Sequence, residues 1–235
     1  MDKFMQQMRE AFANEALWKE FQTGIWDTIY STVAATLVAC VLGIILGIIL
    51  VAGEEDGVRP LPGPVMKVLN FVINILRSVP FLILMMMVIP LSRLIMGTSV
   101  GTMALIVPLV IAAFPFVARL VESSLRELNP NIIEMSRSMG ASPMQTIIKV
   151  MIPEAMPSLI SNATIAITTI LGYTAMSGIV GGGGLGKIAI NYGYYRYKYL
   201  VMLLAVILLI VIVQVFQSIG THLSVKLDKR LKQNH

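Results

Sequence analysis

The chain has 235 residues, of which 56% are hydrophobic and only 13% charged, with a mean hydropathy of +0.79. One soluble core cannot hide that much apolar surface, so the composition excludes a water-soluble domain and points to a bilayer. The formal charge is +5 and the pI about 9.4, but the basic residues are scattered at the ends of apolar runs, which suits lipid head-group anchoring and argues against nucleic acid.

The chain opens on an acidic, amphipathic stretch with Glu10, Glu15, Trp18 and Glu20. Such a stretch predicts an interfacial helix with Trp18, Phe21 and Trp26 at head-group depth, and the apolar run after it is longer than the core of a signal peptide. Uncharged residues fill the intervals Asp27–Glu54, Arg93–Arg119, Glu154–Lys187 and Lys198–Lys226. Each exceeds the roughly 20 residues that a helix needs to cross the hydrocarbon layer. A fifth run, Val65–Pro90, is interrupted by Arg77 and Pro80. The expected architecture is an all-α integral membrane protein of one domain, 1–235, with five transmembrane helices near 25–52, 68–91, 95–118, 155–178 and 199–221.

In the first span, Gly43 and Gly47 form a G-x-x-x-G pair that permits close helix approach, either within the chain or to a second copy. Cys40 is the single cysteine, so a disulfide within the monomer is excluded. The link 53–64, GEEDGVRPLPGP, is rich in turn residues and carries no chemistry. In the second span Pro80 cannot donate to the carbonyl of Leu76, so the helix breaks or kinks there. Arg77, just before it, is an ionisable group at membrane depth; it serves a translocation route or gate, or it pairs with freed carbonyls or reaches the head groups.

After the third span comes a charged, helix-forming insert, 129–153. Asn129 is a good cap and Pro130 suits a first helical turn, so a short helix through Glu134 and Arg137 should stop at Gly140. Ser142-Pro143-Met144-Gln145 then restarts a helix with capping-box spacing, expected to end at Pro153 and Pro157. In the fourth span Ser158, Ser161, Asn162, Thr168 and Thr169 fall near one face, where they either line a polar route or bond across helices. Beyond it, a glycine run at 181–184 leads into the tyrosine-rich YYRYKY of 194–199, suited to an external interface.

Five spans put the termini on opposite sides. The tail after His222 holds Lys226, Lys229, Arg230 and Lys232 against Asp228 alone, which makes that end cytoplasmic and the amino terminus external. Ten basic residues then lie inside and seven outside, with Arg196 and Lys198 against the trend.

Chemistry is sparse. Gly181, Gly186 and Lys187 match a phosphate-loop spacing, but Ile188 stands where a Mg²⁺-holding hydroxyl is required and no soluble strand precedes the glycines. ATP hydrolysis, if it powers this chain, belongs to a separate subunit. A membrane-embedded hydrolase needs a base beside a nucleophile or inward carboxylates, whereas the histidines are His222 and His235 and no acid lies between Glu154 and Asp228. Two distant histidines make no metal site. A passive channel remains as an alternative, although it has no use for a docking insert.

The insert, with Glu134, Gly140 six residues on and Val150, Ile152 and Pro153 closing it, resembles the EAA loop of bacterial ABC-importer permeases; Met135 and Ser136 replace the two alanines. With NILRSVPFLIL at 74–84, MGTSVGTMALIVPL at 96–109, AFPFVARLVESSL at 113–125 and GYTAMSGIVGGGGLG at 172–186, nearly the whole chain resembles the MetI-like permease family of bacterial methionine ABC importers, a type I importer family. The resemblance implies a homodimeric permease in the bacterial inner membrane, bound to two ATP-binding subunits that hold ATP and Mg, with no cofactor in this chain. It also implies an external methionine-binding lipoprotein, a cytoplasmic insert that couples through Glu134, Ser136, Gly140, Ala141 and Pro143, and transport by alternating access. Another small solute is the alternative cargo.

Overall fold

A computed structural model describes residues 15–227. All regular structure in them is helical. In chain order the helices are α1 (Glu15–Ala52), α2 (Gly63–Ser78), α3 (Phe81–Met96), α4 (Thr102–Arg126), α5 (Pro130–Ser138) and α6 (Pro143–Thr146). A π-turn (Ile147–Met151), α7 (Ile152–Met176), a 3-10 turn (Ser177–Val180) and α8 (Leu185–Ile188) follow, then a second π segment (Ala189–Tyr195) and α9 (Tyr199–Leu227). Four helical stretches are long and apolar enough to cross a membrane, and five if the pair broken between α2 and α3 counts as one.

The boundaries depart from the expected ones for identifiable reasons. Among the described residues the opening stretch is not a separate helix: α1 runs unbroken from Glu15, and Phe21 is buried with Leu17 against Leu185, Ile188 and Leu200. Residues 1–14, with Lys3, Arg9 and Glu10, lie outside the described part, as do 228–235 of the basic tail. The second span is two helices, because Val79 is extended and Pro80 begins α3 with φ −56° and ψ 133°. The third starts late, since Gly97 and Gly101 adopt φ of +73° and +93° and hold a turn. It then runs past Arg119 to Arg126, because its charges pair with one another.

Pro153 and Pro157 do not end the insert. Helical backbone runs on from Pro143 to Val180. The π-turn before them supplies the slack: the Ile152 N–H donates back to the Ile147 carbonyl, a wider ring than the α bond that a proline would obstruct.

The chain divides into two compact units. One gathers the described part of Met1–Thr36 with Pro80–Val110 and Ile167–Phe216. Its core is Leu17, Phe21, Leu185, Ile188, Leu200, Val201 and Ala205. The Thr28 hydroxyl donates to the Gly24 carbonyl at 2.8 Å and accepts from Leu185 N at 2.9 Å, which fastens α1 to the start of α8. Phe81 stacks on Tyr173 with ring centroids 4.2 Å apart.

The other unit comprises Leu37–Val79, Ile111–Ala166 and the described part of Gln217–His235. Here the G-x-x-x-G pair finds its use within the chain: a Cβ on Gly43 or Gly47 would come within 2.6 Å of Val117 or Val121 of α4. Small residues let the two backbones approach, which is how helices associate where lipid removes the hydrophobic drive.

Candidate functional site: the insert and its supports

The insert is built by local hydrogen bonds. The Asn129 side chain accepts from Asn131 N, and α5 ends where Gly140 turns left-handed at φ +79°. Ser142 accepts from Gln145 N at 3.3 Å while the Gln145 side chain accepts from Ser142 N at 2.9 Å, a complete capping box. Two helix ends that would otherwise leave amides unmet are thereby closed without help from the rest of the fold.

Ser136 faces inward. Its hydroxyl lies 3.1 Å from that of Thr146, both buried, and its carbonyl accepts from Ala141 N at 3.2 Å. The structure thus brings Ser136, Gly140, Ala141 and Pro143 into one pinned turn, with Ser136 as a pin and not a surface contact. Glu134, Gly140 and Pro143 are exposed. So are three methionines: Met135, Met139 and Met144 show 57%, 73% and 57% of their surface. Exposed apolar side chains gathered on one short segment suit an interaction surface, and the flexible thioether can adapt to the shape it meets.

A second tie comes from outside the insert. The Arg137 guanidinium donates to the Gly57 carbonyl at 2.6 Å. Loop 53–61 is itself folded back on the end of α1 through Arg59 N to Ala52 O and Leu61 N to Gly53 O. Glu54 in that loop pairs with Arg126. Arg126 also reaches Glu122 at 2.9 Å, and Glu122 holds Arg119 at 2.6 Å. Arg119 donates in addition to Asn70 and Asn74 of α2 at 2.8 and 3.0 Å. The Glu122 side chain is only 11% exposed and is shared by both guanidiniums, so removing it would leave Arg126 with Glu54 alone and Arg119 with its two asparagine acceptors and no carboxylate. Sequence reasoning passed over this network, although the spacing of 119, 122 and 126 was its signal.

The expected route residues have different surroundings. Arg77 is exposed in the last turn of α2 and has no bonding partner among the described residues. Asn162 bonds across helices, donating to the Leu120 carbonyl at 3.1 Å and to Ser124 Oγ at 2.8 Å. Ser158 donates to Glu127 at 3.0 Å, and its oxygen lies 3.1 Å from the Ser124 hydroxyl. Ser161 lines a polar cavity of about 280 Å³ with Glu127, Glu154 and Ser224. Thr168 and Thr169 belong to the other unit, are half-buried and have partners of their own.

A family profile described as "Binding-protein-dependent transport system inner membrane component" matches residues 43–229. A probable D-methionine transport system permease protein MetI of Vibrio cholerae is 48% identical over 71% of this chain and 74% of its own. The corresponding Pasteurella multocida protein is 43% identical over 70% and 76%. Among solved structures, an inward-facing MetNI methionine ABC transporter chain superposes with a TM-score of 0.89 at 38% identity, over 92% of this chain and all of that one. The chain therefore belongs to the family of inner membrane components of binding-protein-dependent transport systems.

Proposed function

We propose that this chain is the membrane-spanning permease subunit of an ATP-driven importer of methionine, working by alternating access. The likeness to D-methionine permeases over some seven-tenths of the chain carries this reading. Two copies form the membrane part, two ATP-binding subunits dock on the inserts, and an external solute-binding lipoprotein delivers the cargo. The amino terminus is external, and the carboxyl end and the insert are cytoplasmic.

Hydrolysis of ATP, with its Mg²⁺, takes place on the partner subunits and supplies the driving free energy. This chain's part is mechanical. Glu134, Gly140, Ala141 and Pro143, with the exposed methionines, form the gripped surface. Ser136 and Thr146 keep the two short helices moving as one piece. The insert is joined to the span by continuous helix, and a pull on it biases the spans between inward- and outward-facing states because the partners bind the two states unequally. Arg77, Ser161, Thr168 and Thr169 contribute to the route, while Asn162 holds α7 against α4.

Purification in mild detergent should recover an ATPase with the chain. Reconstituted with its binding protein, the complex should accumulate methionine only with ATP, and unlabelled methionine should compete. Conductance from the chain alone would replace this reading with a channel, and uptake that methionine fails to compete would replace the cargo.

A further inference from the structure

An apolar cavity of about 490 Å³ lies between the end of the first span and the insert, both of which belong to one compact unit. Ile45, Ile48 and Ile49 of α1 line one side, and Met144, Ile147 and Ile148 of the insert line the other. Among the described residues, Arg59 is the one charged residue in the lining. A held water needs two to four polar partners, so walls of this kind suit an apolar occupant.

The backbone that carries Arg59 is fixed. Arg59 N donates to the Ala52 carbonyl at 2.8 Å and Leu61 N to the Gly53 carbonyl at 3.0 Å, which folds the loop onto the end of α1. A Cβ on Gly53 would stand 2.9 Å from the Leu61 side chain and 3.0 Å from the Met66 sulfur, so the fold is a close one. The guanidinium itself is exposed and makes no ion pair or hydrogen bond with another described residue. Of the acids in the loop, Glu54 pairs with Arg126, and neither Glu55 nor Asp56 lines the cavity. Hydrocarbon walls ending at one unspent cation, where a membrane span gives way to a turn-rich loop, repeat the order of polarity along a phospholipid: acyl chain, then phosphate.

We propose that this cavity holds an acyl chain of an anionic phospholipid whose phosphate pairs with Arg59, so that a lipid is wedged between the first span and the insert. Under the orientation proposed above the site opens at the cytoplasmic leaflet, whose surface potential is negative. The proposal needs the chain to lie in a bilayer and depends neither on the cargo nor on the ATP-binding subunits.

The test is native mass spectrometry of the complex purified in mild detergent, offered equal amounts of phosphatidylglycerol and phosphatidylcholine with matched acyl chains. The wild type should retain phosphatidylglycerol about fivefold over phosphatidylcholine, the gain expected of one basic residue near a membrane surface. Arg59→Gln should abolish that preference, whereas Arg93→Gln, at an exposed arginine outside the cavity, should keep it. Ile45→Trp with Ile148→Trp fills the cavity from two positions that are 53% and 55% exposed, and should lower retention of both lipids. The thermal midpoint of each complex is the folding control, and if the double variant does not fold, Arg59→Gln decides alone. An undiminished preference in Arg59→Gln would overturn the proposal, as would undiminished lipid retention in a folded double variant. Loss of another subunit from the double variant, with its lipid retained, would overturn it too and make the cavity a protein contact.

Discussion

The insert of 129–153 and the glycine-rich segment of 177–199 both turn the chain sharply, and both use glycine, but for opposite reasons. Gly140 has open space around it: a Cβ there would meet nothing within 4 Å, and only its φ of +79° calls for glycine. Most glycines of segment 177–199 are needed for room. A Cβ on Gly186 would overlap the Ala175 backbone, one on Gly178 would reach the Lys187 Cα at 2.7 Å, and one on Gly182 would meet Leu105. Segment 177–199 is thus tertiary, made by what presses on it. The insert is local, made by caps and one left-handed residue.

The largest effect should come from the crowded region. Gly186→Ala forces backbone against backbone, which cannot step aside as a side chain could, at about 3 kcal/mol or more. Size-exclusion of the solubilised complex after heating should show a midpoint lowered by several degrees or no folded complex. In the insert, Ser136→Ala should cost about 1–3 kcal/mol by leaving the buried Thr146 hydroxyl unmet. Ser136→Ala combined with Thr146→Val should recover part of that loss, and additive losses in the cycle would show that the two hydroxyls do not act together.

Gly140 separates angle from surface. Gly140→Val should cost about 1–2 kcal/mol through its φ, whereas Gly140→Asn, which tolerates the left-handed region, should cost much less. The ratio of solute taken up to ATP hydrolysed should fall for valine and hold for asparagine. Equal loss in both would mean that the bare glycine surface itself is gripped. The smallest change is Ser142→Ala, expected to cost about 1 kcal/mol and to raise amide exchange at residues 143–146.

What was legible in the sequence follows the same division. Asn129, Gly140 and the Ser142–Gln145 box could be read because caps and turns need only neighbouring residues. The break at Pro80 was legible for the same reason. Helix ends drawn from charges were not, because Arg119 and Arg126 find Glu122 on their own helix and Glu54 beyond it, so charge did not stop α4. The inward turn of Ser136 depends on Thr146, ten residues on, across a turn whose angle no spacing rule supplies. The burial of Phe21 could not be read because its partners, Leu185 and Leu200, lie far along the chain.

The interruption at Val79 and Pro80 carries a cost that the rest of the protein must meet. Each of the two helices it separates has 16 residues, about 24 Å of rise, and neither crosses a hydrocarbon layer of about 30 Å alone. The Ile83 and Leu84 amides reach the Pro80 carbonyl, which leaves the Phe81 and Leu82 amides and the last carbonyls of α2 to find partners outside their own helices. Hydrocarbon offers none, so a break of this kind sits in a bilayer only where water, head groups or polar side chains reach it.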